Sequence, residues 1–206
     1  MYKIGITGSI GTGKSTVANM FASFKIPVFD ADKEIKKILN NKEVIQKLSI
    51  IFPGIIRKNS IDKSKLKTTI FSNKNKKKKL EELLYPYLEI EKSKFLQMNH
   101  KKKILVFDVP LIYETRSEKQ YDLILLTNCD KKLQKARVLK RDKMTNSLFE
   151  NIVKSQLSFS EKIKFKPKLI NTNSFKMFTL IKVIFLLIKT LAILKIKDEP
   201  RKKINT

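Results

Sequence analysis

Short apolar runs alternate along this chain with longer segments in which apolar residues recur every three or four positions. Residues 2–7 (YKIGIT) form a β-rich run that breaks at Gly8, and from Lys14 to Phe24 the apolar positions Val17, Met20, Phe21 and Phe24 fall at helical spacing. Ile26 to Phe29 is a second short strand ending at Asp30. Between Lys33 and Met98 the pattern is helical, broken at Phe52-Pro53-Gly54, with Asn59-Ser60 as the cap of a segment beginning near Asp62. The stretch from about Asn75 carries Leu80, Leu83, Leu84, Leu88 and Phe95, and Pro86 inside it predicts a kink or a break. Ile104 to Phe107 and Asp122 to Leu126 are apolar runs bounded by turns or charges, as buried parallel strands should be. Asp130 caps a helix to about Lys140, a further helix runs to about Gln156, and Lys168 to Asn171 is a last short strand. Strands separated by helices predict an α/β, doubly wound parallel sheet.

The final helical segment needs separate treatment, because Met177 to Ile196 is a largely apolar twenty-mer interrupted by Lys182, Lys189 and Lys195. Lys182 and Lys189 lie on one meridian, with Thr179 and Thr190 close to it, so the pattern predicts a narrow polar stripe facing water while the rest packs. A core-packing helix is favoured over a membrane span, since each mid-span Lys would cost about 2.5–3.5 kcal/mol. No charged and apolar leader opens the sequence, so the expectation is a cytoplasmic protein with no membrane partner.

Composition adds two features. Of 206 residues, 45 are Lys or Arg against 19 Asp or Glu, a net charge of +26, yet only five of the basic residues are Arg. The lysine runs 74–79 and 100–103 carry no interleaved aromatics, so the excess reads as a solvated, mildly anion-attracting surface and not as a dedicated nucleic-acid site. The single cysteine, Cys129, excludes an internal disulfide, and neither it nor the lone His100 has an argued catalytic role. The second feature is that four of the five glycines fall within the first thirteen residues.

Three of those glycines belong to Gly8-Ser9-Ile10-Gly11-Thr12-Gly13-Lys14-Ser15, which satisfies G-x-x-x-x-G-K-[ST] directly after a strand and before a helix. A loop that wraps a triphosphate must aim successive backbone N–H groups inward, which takes positive φ and close approach, and the helix behind it presents its N-terminal N–H groups. The candidate ATP-binding residues are therefore Gly11, Thr12, Gly13, Lys14, Ser15 and Thr16. Lys14 would reach the β- and γ-phosphates, Ser15 would ligate Mg²⁺, and Thr16 would lie close to the α-phosphate. Asp30 and Asp32 follow the second strand; either could be a general base or a helix cap, with Asp32 the first candidate for the base. Asp108 ends the strand 104–107 and is a candidate magnesium carboxylate, acting through water, with Glu114 close behind. Arg137 and Arg141, spaced i,i+4, would bracket a transferring phosphoryl group or else pair with surface carboxylates such as Asp142 or Glu150.

Together these elements resemble the dephospho-CoA kinase family. GITGSIGTGKSTVANMF is similar to its phosphate loop and first helix, VFDAD to its second-strand motif, VPLIYE to V-P-L-[LI]-x-E, KARVLKRD to R-x-x-x-R-D, and the segment from Gln156 (QLSFSEK) to Q-x-x-x-x-E-K, in consistent order over about residues 3–175. The resemblance implies a P-loop NTPase-type sheet with a helical substrate-binding insertion and a helical lid. Residues 1–206 would form one domain: a nucleotide-binding core of 1–32, 100–136 and 166–200, a CoA-binding helical region of 33–99, and a lid of 137–165. The implied activity is phosphorylation of the ribose 3′-hydroxyl of dephospho-CoA by ATP with Mg²⁺, giving CoA and ADP, with Asp32 as base and Lys14, Arg137 and Arg141 on phosphates. A monomer or weak homo-oligomer is expected. Three positions depart from the family pattern: Lys36 where Arg is typical, Tyr85 before Pro86 where His is typical, and Asn171-Thr172-Asn173-Ser174 where D-N-x-G is typical. The competing readings are another small-molecule P-loop kinase, of the nucleoside monophosphate or shikimate type, and a nucleotide-binding protein whose partner is nucleic acid.

Overall fold

The structure, a computed structural model, describes residues 1–57, 60–71, 73–140 and 144–202. In chain order the elements are β1 (Tyr2–Thr7), α1 (Lys14–Ser23), β2 (Val28–Asp30), α2 (Ala31–Ile38), α3 (Lys42–Ile51), β3 (Ile56–Arg57), β4 (Ser60–Ile61), α4 (Lys63–Phe71) and α5 (Lys74–Met98), followed by β5 (Ile104–Asp108), β6 (Leu123–Asn128), α6 (Lys131–Leu139), α7 (Asn146–Lys154), α8 (Phe159–Ile163), β7 (Lys168–Asn171) and α9 (Lys176–Lys202). Five strands form one sheet in the order β2-β5-β1-β6-β7, every pairing parallel. β5, five consecutive buried residues in sequence ILVFD, lies between β2 and β1, which is why it reads as unbroken apolar sequence.

Each face of the sheet buries its own set of side chains. On one, Ile4, Ile6, Val106 and Leu125 pack with Val17 and Phe21 of α1 and Val183 and Leu187 of α9. On the other, Phe29, Phe107 and Phe95 of α5 meet with ring centroids 5.5–6.0 Å apart, an aromatic cluster that fixes the long helix against the strand ends. A third apolar cluster, with Val44, Leu48, Phe52, Ile55 and Leu84 at its centre, lies within α2–α5 and lets that region stand as a helical wall beside β2.

Several local expectations are corrected. α5 continues unbroken through Pro86. Residues 56–57 and 60–61 pair as a small antiparallel hairpin too short to leave a periodic signature, and the next helix starts at Lys63, past Ser60, with Asp62 capping it by accepting from the Lys65 amide at 3.0 Å. Asn59 lies outside the described residues. Asp130 precedes α6 but its side chain caps nothing. The largest correction is α9. Thr179 and Thr190, expected near its watery stripe, are 3% and 2% exposed and face the core with Val183 and Leu187, while Phe178, Ile181, Phe185 and Ile188 are exposed. Most of its apolar surface is therefore not packed. A threonine hydroxyl can be buried on a helix because it bonds the preceding turn, as Thr190 Oγ1 does to the Leu186 carbonyl at 2.9 Å.

Candidate active site

The loop between β1 and α1 sits beside the strands where the sheet order reverses direction, the place where open α/β sheets bind ligands. Its shape depends on glycine at two positions. Gly11 has φ 77° and a Cβ there would lie 2.5 Å from Val138 Cγ2; Gly13 has φ 93° and is the residue before α1, whose first turn has no side-chain cap and no acidic residue. The first N–H groups of α1 are thus left for an anionic ligand.

Neighbouring elements pin the loop. Thr12 is buried, with its Oγ1 2.7 Å from the Ser9 carbonyl and 2.8 Å from Thr127 Oγ1 at the end of β6. Gln134 of α6 donates to the Ile10 carbonyl at 2.7 Å, and Ser9 Oγ donates to Gln156 Oε1 at 2.8 Å. Thr172 Oγ1, just past β7, donates to the Thr12 carbonyl at 2.9 Å. The Thr12 side chain therefore braces the loop, so any contact it makes with phosphate comes through its backbone.

Three carboxylates meet this loop at the strand ends. Asp30 and Asp108 are register partners on β2 and β5. Asp30 is the helix cap, accepting from the Lys33 amide at 2.9 Å, which leaves Asp32, in the first turn of α2 and exposed, as the carboxylate available to a ligand. Asp108 is 4% exposed and its Oδ1 has no hydrogen-bond partner. Burial pushes its carboxyl up to about 6, with Asp30 and Asp32 adding to the rise and Lys14 and a Ser15 hydrogen bond opposing it.

Two cavities open near these strand ends, the smaller one lined in part by the loop itself. Toward β7, one of about 310 Å³ is bounded by Gly11, Gly13, Thr16, Arg137, Thr172 and Ser174. Arg137 is held there by Thr172, to whose Oγ1 and carbonyl oxygen it donates at 3.0 and 2.8 Å, so it is not spent on a surface carboxylate. Its expected companion Arg141 lies outside the described residues. Toward β2, a cavity of about 640 Å³ is walled by α2, α5 and the turn after β5, with Asp32, Tyr85, Lys92, Glu114 and Tyr121 among its lining residues. Burial raises the Tyr85 phenol above its ordinary value, with Glu81 and Glu114 adding to it. Glu114 pairs with buried Lys162 of α8 at 2.9 Å and accepts from the Leu157 amide at 2.9 Å, tying the α7–α8 segment to the rim of this cavity.

Gln134 and Thr127 carry no sequence signature of these roles, each being a polar residue whose partner is remote in the chain, whereas Lys162 is the lysine of the Q-x-x-x-x-E-K segment. Gln156 and Glu114 were marked only through the family resemblance and by position after β5. Lys36 is exposed on α2.

A five-stranded parallel sheet with a phosphate loop after its central strand, a lysine and hydroxyl opening the next helix, and two cavities near the strand ends defines a P-loop phosphotransferase. The comparisons narrow the class. The family model for dephospho-CoA kinase matches residues 2–176. A dephospho-CoA kinase of Fusobacterium nucleatum is 40% identical over 173 residues, 83% of this chain and 89% of that protein. Among solved structures, a Thermus thermophilus protein aligns with TM-score 0.82 at 25% identity over 92% of this chain and 97% of its own. The dephospho-CoA kinase of Campylobacter jejuni, at 23% identity and TM-score 0.59, covers 91% of this chain and 96% of its own and shares the fold. The chain belongs to the dephospho-CoA kinase family.

Proposed function

We propose that this chain transfers the γ-phosphoryl group of ATP to the ribose 3′-hydroxyl of dephospho-CoA, giving CoA and ADP in the last step of coenzyme A synthesis. The observation that carries the reading is the position of Asp32, on the wall of the larger cavity and near enough to the phosphate loop to act electrostatically on Asp108. A hydroxyl bound in that cavity meets the Asp32 carboxylate, which acts on Asp108 as Lys14 of the phosphate loop also does.

In this reading the smaller cavity takes the nucleotide, with Gly11, Thr12, Gly13, Lys14, Ser15 and Thr16 around the phosphates. Lys14 neutralises charge that develops on the β- and γ-oxygens, and Arg137, held flat by Thr172, presents its remaining donors to the same groups. Asp32 accepts the proton of the attacking hydroxyl as the O–P bond forms, while ADP leaves with the electron pair of the breaking bond. Among the described residues no cluster of three or more His, Cys, Asp or Glu side chains could hold a metal by itself. The buried, unpartnered Asp108 oxygen beside Ser15 suits a cation that is also held by phosphate oxygens and water, so Ser15 directly and Asp108 through water would hold Mg²⁺. When bound, the ion neutralises charge on the transferring phosphoryl group.

In this reading the chain divides into a nucleotide-binding core of 1–32, 100–136 and 166–200, an acceptor-binding region of 33–99 and a lid of 137–165; the separate apolar cluster of α2–α5 and the contacts of Gln156 and Lys162 support the division. An ADP-release assay across dephospho-CoA, AMP, CMP and shikimate tests the proposal. Turnover is expected with dephospho-CoA; turnover with one of the other acceptors and none with dephospho-CoA overturns it.

A further inference from the structure

The family match ends at residue 176, where α9 begins; Lys176 and Thr179 reach the smaller cavity, but the proposed activity uses none of the outward face further along the helix. The most apolar 18-residue stretch within Lys176–Ile196 has a mean hydropathy of 2.3, yet only 28% of it is buried. Val183 and Leu187 pack on the sheet, and a helix advances about 100° per residue. Phe178, Ile181 and Phe185 therefore lie together on the side away from the core, at 56%, 47% and 74% exposed. Ile188 continues this face into an adjoining groove of about 400 Å³, lined by Phe24, Ile26, Pro27 and Leu191 among others. Contiguous apolar surface of this extent on a soluble domain marks an interaction site.

The charge around it selects the occupant. Exposed Lys182 and Lys189 share a meridian about 60° from Phe185, exposed Lys195 lies further along the helix, and Lys25 and Lys102 border the groove. The chain as a whole carries +26. A second copy of the chain would bring this lysine rim against its own like charge. A membrane span would require Val183, Leu187, Thr179 and Thr190 to leave the core they are buried in. A surface that offers both an apolar layer and negative charge satisfies the face and its rim together.

We propose that α9 is an in-plane docking helix for anionic phospholipid bilayers. Phe178, Ile181 and Phe185 enter the boundary between headgroups and acyl chains, and the flanking lysines meet anionic headgroups, while the opposite face of the helix stays packed on the sheet.

The test is flotation of the full chain with vesicles of phosphatidylcholine alone and of equal parts phosphatidylcholine and phosphatidylglycerol. Recovery with the anionic vesicles should exceed that with the neutral ones by about tenfold or more at low salt, and high salt should weaken it. Combined Phe178→Ser, Ile181→Ser and Phe185→Ser should lower anionic-vesicle recovery by about tenfold or more with thermal unfolding intact, since all three side chains are exposed. Lys189→Glu with Lys195→Glu should remove the preference for anionic lipid. Equal recovery with both vesicles, no flotation, or a serine variant that floats like the parent overturns the proposal. So does resistance to alkaline extraction, which indicates a span, and so does a dimer that the serine substitutions dissolve in the absence of flotation.

Discussion

Asp108 ends β5 with its carboxylate 4% exposed and one oxygen lacking a hydrogen-bond partner, an arrangement that opposes ionisation. Its carboxyl is pushed from the ordinary 3.8 up to about 6, first by burial and then by Asp30 and Asp32. The displacement corresponds to about 3 kcal/mol between protonation states. The folded chain therefore holds this proton more tightly than the unfolded one, so the contribution to stability is fully present below about pH 4 and is lost as pH rises through about 6. Asp108→Asn keeps the shape and removes the charge. In urea unfolding without nucleotide or divalent cation, the Asn variant should be more stable than the parent by up to about 3 kcal/mol near pH 7.5. Near pH 5 the parent should have closed the gap by about 1.5 kcal/mol. Adding ATP and Mg²⁺ should then stabilise the parent more than the variant, because the ligand binds the ionised site. Equal stability of the two proteins at both pH values, or a parent that gains on the variant as pH rises, would refute the reasoning.

Three further substitutions separate positioning from chemistry. Asp32→Asn should reduce turnover by about 10²–10⁴-fold with ATP affinity retained in a binding titration; near-normal turnover would return Asp32 to the surface of α2. Lys162→Met strands the Glu114 carboxylate and should cost about 3–5 kcal/mol in urea unfolding, while Lys162→Met with Glu114→Gln should recover most of it, and no recovery would deny the pairing. Thr172→Val removes the hydroxyl that serves both Arg137 and the Thr12 carbonyl and should cost about 1–3 kcal/mol of stability. It should also raise KM for ATP more than it lowers kcat; Thr172→Ser should restore both, and an unchanged KM would detach Arg137 from nucleotide binding.

The sheet was legible because parallel strands buried on both faces leave unbroken apolar runs, as in ILVF before Asp108, and because the phosphate loop requires glycine where few other glycines occur. The choice between Asp30 and Asp32 was not legible. Both are carboxylates at the start of one helix, and only the Asp30 bond to the Lys33 amide distinguishes cap from free group. The braces of the loop were invisible for a different reason. Thr127, Gln134 and Thr172 act over 35 to 160 positions of chain, and a polar residue at a strand end or on a helix has no pattern that reveals a partner so far away. In α9 periodicity separated lysine from apolar positions correctly but assigned the wrong side to the core. Apolar residues surround most of the helix, and small threonines fit the sheet where phenylalanines do not.

Thr172 also explains how a departure from a family motif can leave a site intact. Where D-N-x-G is typical the chain has Asn171-Thr172-Asn173-Ser174, and the turn is rebuilt from its own hydrogen bonds. The Asn171 side chain accepts from the Asn173 amide at 2.8 Å, and the Asn173 side chain accepts from the Asp130 amide at 2.8 Å, joining the turn to the start of α6. Thr172 is then fixed between two tasks, donating to the Thr12 carbonyl and accepting from Arg137. A hydroxyl has one proton and two lone pairs, so a single buried side chain couples the floor of the phosphate loop to the guanidinium above it. At this position the turn of this chain therefore supplies a donor and an acceptor at fixed places. The same reasoning separates Thr172 from Ser174, which lines the cavity without bracing the loop. A change at Ser174 should alter the shape of the smaller cavity alone, whereas a change at Thr172 should move the loop and the arginine together.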